Sequence, residues 1–266
     1  MSDTFELHNP AKRKLAAGEF VLAMTVRQLR TAEAAMIIQA AGFDTIIVDA
    51  EHSTISAEAT SSICAAALAL GMTPMVRIAS HAASAIGAAL DGGALGLIVP
   101  RVETRAEAEA IAAEARYPPL GRRSVAGLGA TTRYRALPLD AVMRQRNAAT
   151  LLIAMLETGT GIANAGDIAA VPGIDGLLIG PNDLAAELGI AGQKGHPKLR
   201  EAHSAVAAAC RARKKHFAVA TFGDEREYQA ALVADGARFI MAGIDVNYVL
   251  AAAKRDVESL RALPRA

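Results

Sequence analysis

The segments LLIAMLETGTG at residues 151–161 and GLLIGPNDL at residues 176–184 decide the fold of this chain. Each begins with a short, continuously apolar run, at residues 151–156 and 176–179, which is typical of strands buried on both faces of a sheet. The Ala-rich stretch at residues 162–170 is long enough for a helix that crosses from one strand to the next. This succession predicts two neighbouring parallel strands whose C-terminal ends meet at one rim.

A carboxylate follows each of these two strands: Glu157 comes after the first, and Asp183 comes after the turn Gly180-Pro181-Asn182. Because the strands are expected to be parallel neighbours, both carboxylates should lie at the same rim of the sheet. In a barrel of parallel strands, that rim carries the active site. The alternative is that each acid only caps a helix or closes a turn.

The rest of the chain repeats the same alternation of strand-like and helical patterns. Further apolar runs occur at residues 20–25, 45–48, 75–78, 96–99, 217–221 and 239–241. Helical patterns between the first runs occur at residues 32–41, 57–70, 82–90 and 105–115. Eight such units predict an α/β fold of the (β/α)8 TIM-barrel type, forming a single domain over residues 1–266. A doubly wound open sheet is the alternative, but it seldom needs eight evenly spaced strands.

The composition excludes several classes of partner. The chain has 28 basic and 27 acidic residues, so there is no electrostatic case for binding nucleic acid or an anionic membrane. Cys64 and Cys210 lie in Ala-rich helical stretches and are interpreted as core residues of a protein in a reducing compartment. The start of the chain does not resemble a signal peptide, and the longest apolar stretch is too short to span a bilayer. A soluble, cytoplasmic protein is expected.

The stretch at residues 117–129 between the fourth and fifth strands is irregular and rich in Pro, Gly and Arg. Loops of this length in a compact domain are usually functional. One hypothesis is that Tyr117, Arg122, Arg123 and Arg135 form a loop that faces the substrate. The alternative is a solvated basic loop.

Chemistry-bearing side chains are concentrated at the predicted C-terminal ends of the strands. They are Asp49, Glu51, His52, Arg77, Glu157 and Asp183. Glu157 and Asp183 offer only oxygen ligands, which suit hard divalent ions such as Mg²⁺ or Mn²⁺ and leave positions for water or substrate. A 2-oxoacid could chelate such an ion through its carboxylate and keto oxygens.

The remaining strand-end residues fit a reaction through an enolate. Arg77 would stabilise the enolate oxygen, and His52 would act as the acid and base. Asp49 and Glu51 would hold that histidine or a water molecule in place. Arg77 could instead be only a structural ion-pair partner of Asp49 or Glu51. Backbone N–H groups of the turn formed by Gly180, Pro181, Asn182 and Asp183 would bind the substrate carboxylate.

The distribution of lysine bears on the choice of mechanism. A Schiff-base aldolase needs a lysine inside the barrel. No lysine occurs between Lys14 and Lys194, and Lys194 and Lys198 are expected in a polar loop. Lys214 and Lys215 precede the seventh strand and therefore belong at the opposite rim. A metal-stabilised enolate is the route that remains.

Two other types of site are not indicated. Gly159, Gly161 and Gly166 lack the Gly-x-Gly-x-x-Gly spacing of a dinucleotide loop, and no organic cofactor is expected. Five histidines show no mutual metal-ligand spacing and are expected at the surface or in turns: His8, His81, His196, His203 and His216.

The sequence resembles the HpcH/HpaI class II pyruvate aldolases, the family typified by 4-hydroxy-2-oxoheptanedioate aldolase, nearly from end to end. The motifs that carry the resemblance are Asn9-Pro10, Ala41-Gly42-Phe43-Asp44, Asp49-Ala50-Glu51-His52, Val76-Arg77, Leu90-Asp91, Val99-Pro100, Arg116-Tyr117-Pro118-Pro119, Glu157-Thr158 and Gly180-Pro181-Asn182-Asp183-Leu184. Departures are Ala50 where Gly is common, Ser53-Thr54 after the histidine, and Met155 where Gln is frequent. These departures put the acceptor aldehyde in doubt.

The resemblance implies a TIM barrel of the phosphoenolpyruvate/pyruvate-binding type. It implies binding of a divalent ion (Mg²⁺, Mn²⁺ or Co²⁺) by Glu157 and Asp183, enolate stabilisation by Arg77 and proton transfer by His52. It also implies that Asp91 reaches into the site of a neighbouring subunit and partners His52 there. The expected assembly is a homohexamer, a trimer of dimers, in which a C-terminal helix at about residues 246–262 is swapped between subunits.

The expected activity is that of a metal-dependent lyase. It would reversibly cleave 4-hydroxy-2-oxoacids to pyruvate, or to a close 2-oxoacid such as hydroxypyruvate, and an aldehyde. One alternative is oxaloacetate decarboxylation or cleavage of a coenzyme A ester through the same enolate. Another is a non-catalytic metabolite-binding barrel.

Overall fold

Eight parallel strands form a closed barrel in the computed structural model, which describes residues 6–220 and 226–264. The strands are β1 (Val21–Val26), β2 (Thr45–Asp49), β3 (Thr73–Arg77), β4 (Gly96–Val99), β5 (Leu151–Leu156), β6 (Gly176–Ile179), β7 (His216–Ala220) and β8 (Ala237–Ile244). Each strand pairs in parallel with the next in sequence, and β8 pairs with β1 to close the barrel. The predicted TIM barrel is therefore confirmed.

Helices surround the barrel and run back from the C-terminal to the N-terminal rim. They are α1 (Pro10–Ala16), α2 (Glu33–Ala40), α3 (Ala57–Ala69), α4 (Ala83–Asp91), α5 (Arg105–Ala115), α6 (Leu139–Ala149), α7 (Gly159–Ala163), α8 (Ala165–Ala169), α9 (Pro181–Glu187), α10 (Pro197–Arg213), α11 (Arg226–Ala234) and α12 (Asp245–Arg261), with a 3₁₀ turn at Ala130–Thr132. None of the helices in the described residues is both long enough and apolar enough to cross a membrane.

Most predicted elements have nearly the observed bounds. The predicted and observed bounds are identical for strands β4, β5 and β6 and for helix α5. The predicted helix at residues 162–170 is wrong in detail, because α7 and α8 are separate helices that meet at Asn164. Helix α6 was not predicted, because its buried face combines Val142 and Ala149 with the charged side chain of Arg146. The last residue of the predicted seventh strand, Thr221, lies outside the described residues.

The barrel interior is filled by the inward-facing residues of alternate strand positions. This cluster includes Ile47, Met75, Ile98, Leu178 and Phe239, all fully buried. A second and larger cluster fills the space between the strands and the surrounding helices. The strands are thus apolar on both faces, which explains their continuous apolar runs in the sequence.

The two cysteines are confirmed as core residues. Cys64 and Cys210 are both buried and neither forms a disulfide. Burial raises the pKa of each thiol to about 12, so both remain protonated and unreactive at neutral pH.

The prediction that His203 is a surface or turn residue is wrong. It lies within α10, is buried, and packs edge-on against Phe217 and Tyr228. Its Nδ1 is 2.7 Å from the carbonyl oxygen of Leu199 and 2.8 Å from the hydroxyl of Tyr228, whereas Nε2 has no hydrogen-bond partner among the described residues. Burial lowers the pKa of His203, because the charged form loses its hydration.

We predict that on acidification the free energy of unfolding falls less in the His203→Phe variant than in the unaltered protein. The unfolded chain takes up a proton at His203 near pH 6.5, whereas the lowered pKa keeps the folded state neutral. Folding stability is therefore present above that pH and is lost as the pH falls through it. Urea unfolding at about pH 7.5 and about pH 5.5 measures the difference. His216, whose pKa is also lowered, is present in both the unaltered protein and the variant, so its contribution cancels. If the free energy of unfolding depends on pH equally in the two proteins, His203 does not have the proposed effect.

Candidate active site

A cavity of about 320 Å³ opens at the C-terminal ends of the strands. This volume lies near the lower end of the range for small-molecule sites, about 300–1,000 Å³. Six of the residues predicted to form the site line it: His52, Arg77, Gly180, Pro181, Asn182 and Asp183. Met155 and Met241, from the upper ends of β5 and β8, contribute apolar surface.

The buried carboxylate of Asp49 fixes the position of Arg77. The two residues end β2 and β3 and are partners in the strand register. Arg77 Nε donates to Asp49 Oδ1 at 2.9 Å, and Nη2 donates to Oδ2 at 2.5 Å. Burial alone would raise the pKa of Asp49, but the hydrogen bonds and positive charge of Arg77 outweigh it and lower that pKa. Burial likewise opposes the charge on Arg77, yet Asp49 and nearby acids raise its pKa. Both groups are therefore ionised.

Asp49 also organises the loop that follows β2. Its Oδ1 accepts the backbone N–H groups of Glu51 at 3.2 Å and His52 at 3.1 Å, and its Oδ2 accepts Arg27 Nε at 2.6 Å. Asp49 is fully buried and does not line the cavity, so it acts by positioning other groups. The proposed ion pair of Arg77 with Asp49 therefore exists, while Arg77 still lines the cavity.

His52 and Glu51 lie at the edge of the same cluster. The His52 ring is partly exposed and lines the cavity. Glu51 Oε2 is 3.5 Å from His52 Nε2 and 3.5 Å from Arg77 Nε. Both contacts are too long and poorly aligned for hydrogen bonds, so this buried carboxylate oxygen has only electrostatic partners among the described residues.

Glu157 is buried directly after β5 and faces other acids. Its Oε2 accepts the backbone N–H of Arg101 at 2.9 Å, and Arg101 has a positive φ of 52° that directs this N–H at the carboxylate. Burial, followed by the negative charges of Glu51 and Asp183, raises the pKa of Glu157 to about 7. Glu157 and Asp183 therefore lie close together at one rim, as predicted from the strand ends, and Glu51 also acts on Glu157.

Asp183 lies in the first turn of α9, beside Glu157. It is partly exposed and lines the cavity, and its Oδ1 is 3.7 Å from Arg101 Nη2. Gly180, which precedes α9, allows the chain to pass close to Glu157. A Cβ atom at Gly180 would lie 2.4 Å from Glu157 Oε1 and 2.7 Å from Met155 Cε, so any other residue here would displace these two side chains.

The acidic side of the cavity is suited to a divalent ion. Among residues 6–220 and 226–264, no group of three or more His, Cys, Asp or Glu side chains is arranged as a complete ligand set. Mg²⁺, however, commonly uses only one or two carboxylates and completes its shell with water and substrate. Glu157 and Asp183 match that donor set. Burial and the neighbouring carboxylates raise the pKa of Glu157, and a bound cation would offset both effects.

Asp91 is not brought to the cavity of its own chain. It is the last residue of α4, which starts near the C-terminal end of β3 and ends at the opposite rim. Its carboxylate is partly exposed, and its Oδ1 accepts Arg123 Nη2 at 2.6 Å.

Neither hypothesis for the irregular loop holds for Tyr117 and Arg123, because both are buried. Arg123 stacks over the Tyr117 ring at 4.6 Å from its centroid and pairs with Asp91. Arg122 pairs with Glu114 at 2.6 Å, and Arg135 is exposed. None of the four side chains lines the cavity. The sequence missed this burial because the residues that cover the loop are distant along the chain.

Sequence reasoning also missed three basic residues of this rim. Arg27 lines the cavity, but the first strand was predicted to end at Thr25, which concealed that Arg27 follows β1. Lys194 lines the cavity from the loop between α9 and α10, so its assignment to a loop is confirmed, and a lysine does reach the mouth of the cavity. Arg101 had no signal, because its positive φ cannot be read from the residue type.

Comparisons with known proteins agree with this arrangement. The family model described as HpcH/HpaI aldolase/citrate lyase matches residues 25–252. A 4-hydroxy-4-methyl-2-oxoglutarate aldolase from Chaetomium globosum is 34% identical over 97% of this chain and 97% of its own. A hydroxypyruvate/pyruvate aldolase from Sagittula stellata is 36% identical over 73% of this chain and 76% of its own.

The fold comparison gives the same answer. The crystal structure of an HpcH/HpaI aldolase from Desulfitobacterium hafniense DCB-2 matches with a TM-score of 0.90 and 28% identity, covering 95% of this chain and 97% of that one. The resemblance inferred from the strand-end motifs is thus confirmed, and the protein belongs to the HpcH/HpaI aldolase/citrate lyase family.

Proposed function

We propose that this protein is a divalent-metal-dependent aldolase, a class II aldehyde-lyase. It reversibly cleaves 4-hydroxy-2-oxoacids to pyruvate, or to a close 2-oxoacid such as hydroxypyruvate, and an aldehyde or other carbonyl product. The observation that carries the proposal is that Arg77, fixed by Asp49, lines one cavity with His52 and Asp183, while Glu157 is buried close to Asp183. The names of relatives as pyruvate and hydroxypyruvate/pyruvate aldolases support pyruvate as the released product.

Glu157 and Asp183 would hold the ion, which could be Mg²⁺, Mn²⁺ or Co²⁺. When bound, it supplies Lewis-acid polarisation of the 2-oxoacid. No organic cofactor is needed for this reaction. The backbone of Gly180, Pro181 and Asn182 borders the carboxylate pair and would contact the substrate carboxylate.

Arg77 would stabilise the negative charge that develops on the enolate oxygen. Its Nε and Nη2 are committed to Asp49, whereas Nη1 makes no hydrogen bond to the described residues and remains available at the cavity. Because Asp49 holds the guanidinium before substrate arrives, little reorganisation is needed during the reaction. Arg77 thus binds the developing charge, and Asp49 orients Arg77.

His52 would move the proton of the substrate hydroxyl. It lines the cavity, and Glu51 gives it a nearby negative charge. Among the described residues, no further acid partner is held against the ring by a hydrogen bond. We assign that role to Asp91 of a neighbouring subunit, since Asp91 presents a partly exposed carboxylate at the opposite rim.

A homohexamer built as a trimer of dimers is the assembly that we propose, with α12 swapped between subunits. Only Asp245 is buried in this helix, while a stripe of apolar residues is exposed: Val249, Leu250, Val257 and Leu260. Met36 and Ile37 on α2 are exposed as well. Apolar surfaces of this extent on a small protein mark an interface.

Coenzyme A ester cleavage is less well supported. Such a substrate needs a basic surface for its nucleotide, and the stretch around Arg122 and Arg123 was the candidate. Arg123 is buried against Tyr117 and paired with Asp91, and Arg122 is paired with Glu114. The proposed partners are small 2-oxoacids and aldehydes, and we propose no role for nucleic acid or membrane. The proposed location is the cytoplasm.

The first prediction concerns enolate formation. Chelator-stripped protein should not exchange the methyl protons of pyruvate with D₂O, and added Mg²⁺, Mn²⁺ or Co²⁺ should restore the exchange. Glu157→Gln should lower the restored rate at least about 100-fold, the upper end of the cost of losing even an outer-shell partner of a metal. NMR of the methyl signal measures the rate. Glu187→Gln, on the same helix as Asp183 but outside the cavity, is the control and should retain the rate; exchange that ignores both metal and Glu157 would refute the proposal.

The second prediction concerns the buried pair. Asp49→Asn should lower kcat for pyruvate formation by about 10²–10³-fold, because Arg77 loses its orientation. It should also lower the free energy of unfolding by about 3–5 kcal/mol, because a buried guanidinium is left unpaired. Turnover and urea unfolding measure the two effects. Asp44→Asn removes the carboxylate of the Lys14–Asp44 pair, which lies away from the cavity, and should leave kcat unchanged. A fully active Asp49→Asn would remove the positioning role.

The third prediction concerns the assembly. The double variant Leu250→Asp, Val257→Asp should lower the mass of the particle in solution, because it places charges within the apolar stripe of α12. Light scattering after gel filtration measures the mass. Ser259→Asp lies on the other side of the helix and should leave the mass unchanged. An unchanged mass in the double variant would remove α12 from the interface.

A further inference from the structure

The guanidinium of Arg27 lines the cavity, but the proposed reaction does not use it. Arg27 follows β1 by one residue, and its side chain is largely buried. In a closed eight-stranded barrel, β1 lies across from β5, so Arg27 enters from the wall that faces Glu157. Its chemistry therefore concerns the part of the substrate that is remote from the carboxylate pair.

The position of Arg27 is fixed from two sides. Its Nε donates to Asp49 Oδ2 at 2.6 Å. The buried carboxylate of Asp245 accepts three successive backbone N–H groups, those of Arg27 at 3.1 Å, Gln28 at 2.7 Å and Leu29 at 2.8 Å. A turn held in this way cannot easily move, so the side chain is preorganised. Its Nη1 and Nη2 make no hydrogen bond to the described residues.

The guanidinium donors along this wall are only partly used by the described residues. Asp49 is the carboxylate that both Arg27 and Arg77 contact, and its two oxygens already take a bidentate pair from Arg77. Arg77 also lies 3.5 Å from Glu51, and Asp245 holds the backbone of Arg27, so it is the unbonded Nη1 and Nη2 donors of Arg27 that distinguish this side of the cavity. Lys194 adds an ammonium group to the lining. A substrate group that lies here should be an anion with two oxygens, which matches the two free Nη groups of Arg27.

We propose that Arg27 binds a carboxylate on the carbonyl product, so that the preferred substrates are 4-hydroxy-2-oxoacids with a carboxylate attached to C4. The inference rests on the proposed aldolase function and specifies its substrate class. On cleavage, the C3–C4 bond breaks and its electron pair passes to C3 as the enolate, while the C4 hydroxyl loses its proton. C3 then takes up a proton to give pyruvate, and C4 leaves as the carbonyl carbon of a second oxoacid. Arg27 holds the carboxylate of that second oxoacid.

A matched pair of acceptors tests this proposal in the direction of synthesis. Glyoxylate and glycolaldehyde are both two-carbon aldehydes, but only glyoxylate carries a carboxylate. With pyruvate as donor, the protein should have a higher kcat/KM for glyoxylate. Arg27→Met should lower the ratio of the two values about 10- to 100-fold, the effect of losing hydrogen bonds to a charged group. Arg27→Gln, which keeps a donor for Asp49, should lower the ratio in the same direction and serves if Arg27→Met does not fold.

The ratio of kcat/KM for glyoxylate to kcat/KM for glycolaldehyde distinguishes two roles of Arg27: binding the substrate carboxylate and neutralising Asp49. If Arg27 only helps to neutralise Asp49, its loss affects Arg77 and lowers both values of kcat/KM equally. An unchanged ratio in both variants, or no preference for glyoxylate in the unaltered protein, would overturn the proposal. Arg30→Met is the matched control, since Arg30 lies in the same turn and bonds to Thr54 outside the cavity. It should leave the ratio unchanged.

Failure of the inference is distinguishable from failure of the aldolase function. Deuterium exchange at the pyruvate methyl group needs no acceptor. Metal-dependent exchange without discrimination between the two acceptors would overturn the role of Arg27 alone. An absence of both exchange and aldol product would overturn the proposed function and the inference with it.

Discussion

The buried carboxylate of Asp49, paired with Arg77, is the interaction on which the rest of the site depends. A charge without access to water is costly unless it is paired and hydrogen-bonded. Asp49 meets this condition with two bonds from Arg77, one from Arg27 and two from the backbone of the next loop. Removing any one partner leaves the others poorly compensated. The cost of burial thus enforces one geometry for the guanidinium groups and for the loop that carries His52.

The parallel barrel turns this local pair into a cavity with two unlike sides. Strand register places Asp49 and Arg77 at the same height, and the ends of β5 and β6 place Glu157 and Asp183 at the same rim. Basic side chains therefore follow β1 and β3, whereas acidic side chains follow β5 and β6. Because water is partly excluded, electrostatic interactions are stronger on both the basic and the acidic side of the cavity. Burial, together with the charges of Glu51 and Asp183, raises the pKa of Glu157 on the acidic side. A 2-oxoacid, which carries both anionic and chelating oxygens, can satisfy both sides at once.

The sequence predicts those features of the fold and the site that depend on residues close together in the chain. Continuous apolar runs located the buried strands, and polar residues after those runs located His52, Arg77, Glu157 and Asp183. Contacts between distant parts of the chain were not predictable in this way. Arg27 is held by Asp245, which lies 218 residues away in sequence. His203 occurs in a helical stretch that resembles a surface, but it is covered by Phe217 and Tyr228. Arg123 was expected to face substrate or solvent, but it is buried against Tyr117 and paired with Asp91.

Helix α12 links the cavity to the outside of the subunit. Its first residue, Asp245, caps the turn that carries Arg27, and Asn247 in its first turn lines the cavity. The rest of the helix leaves the barrel with its apolar residues exposed. A helix is stiff over this length, so a partner that covers the exposed stripe also constrains the residues at its start. Asp49 and Asp245 fix Arg27 within the subunit, and a partner on α12 would act on it through Asp245. A partner on this stripe would therefore link the proposed assembly of subunits to the proposed selection of the carbonyl product, even though their residues are far apart.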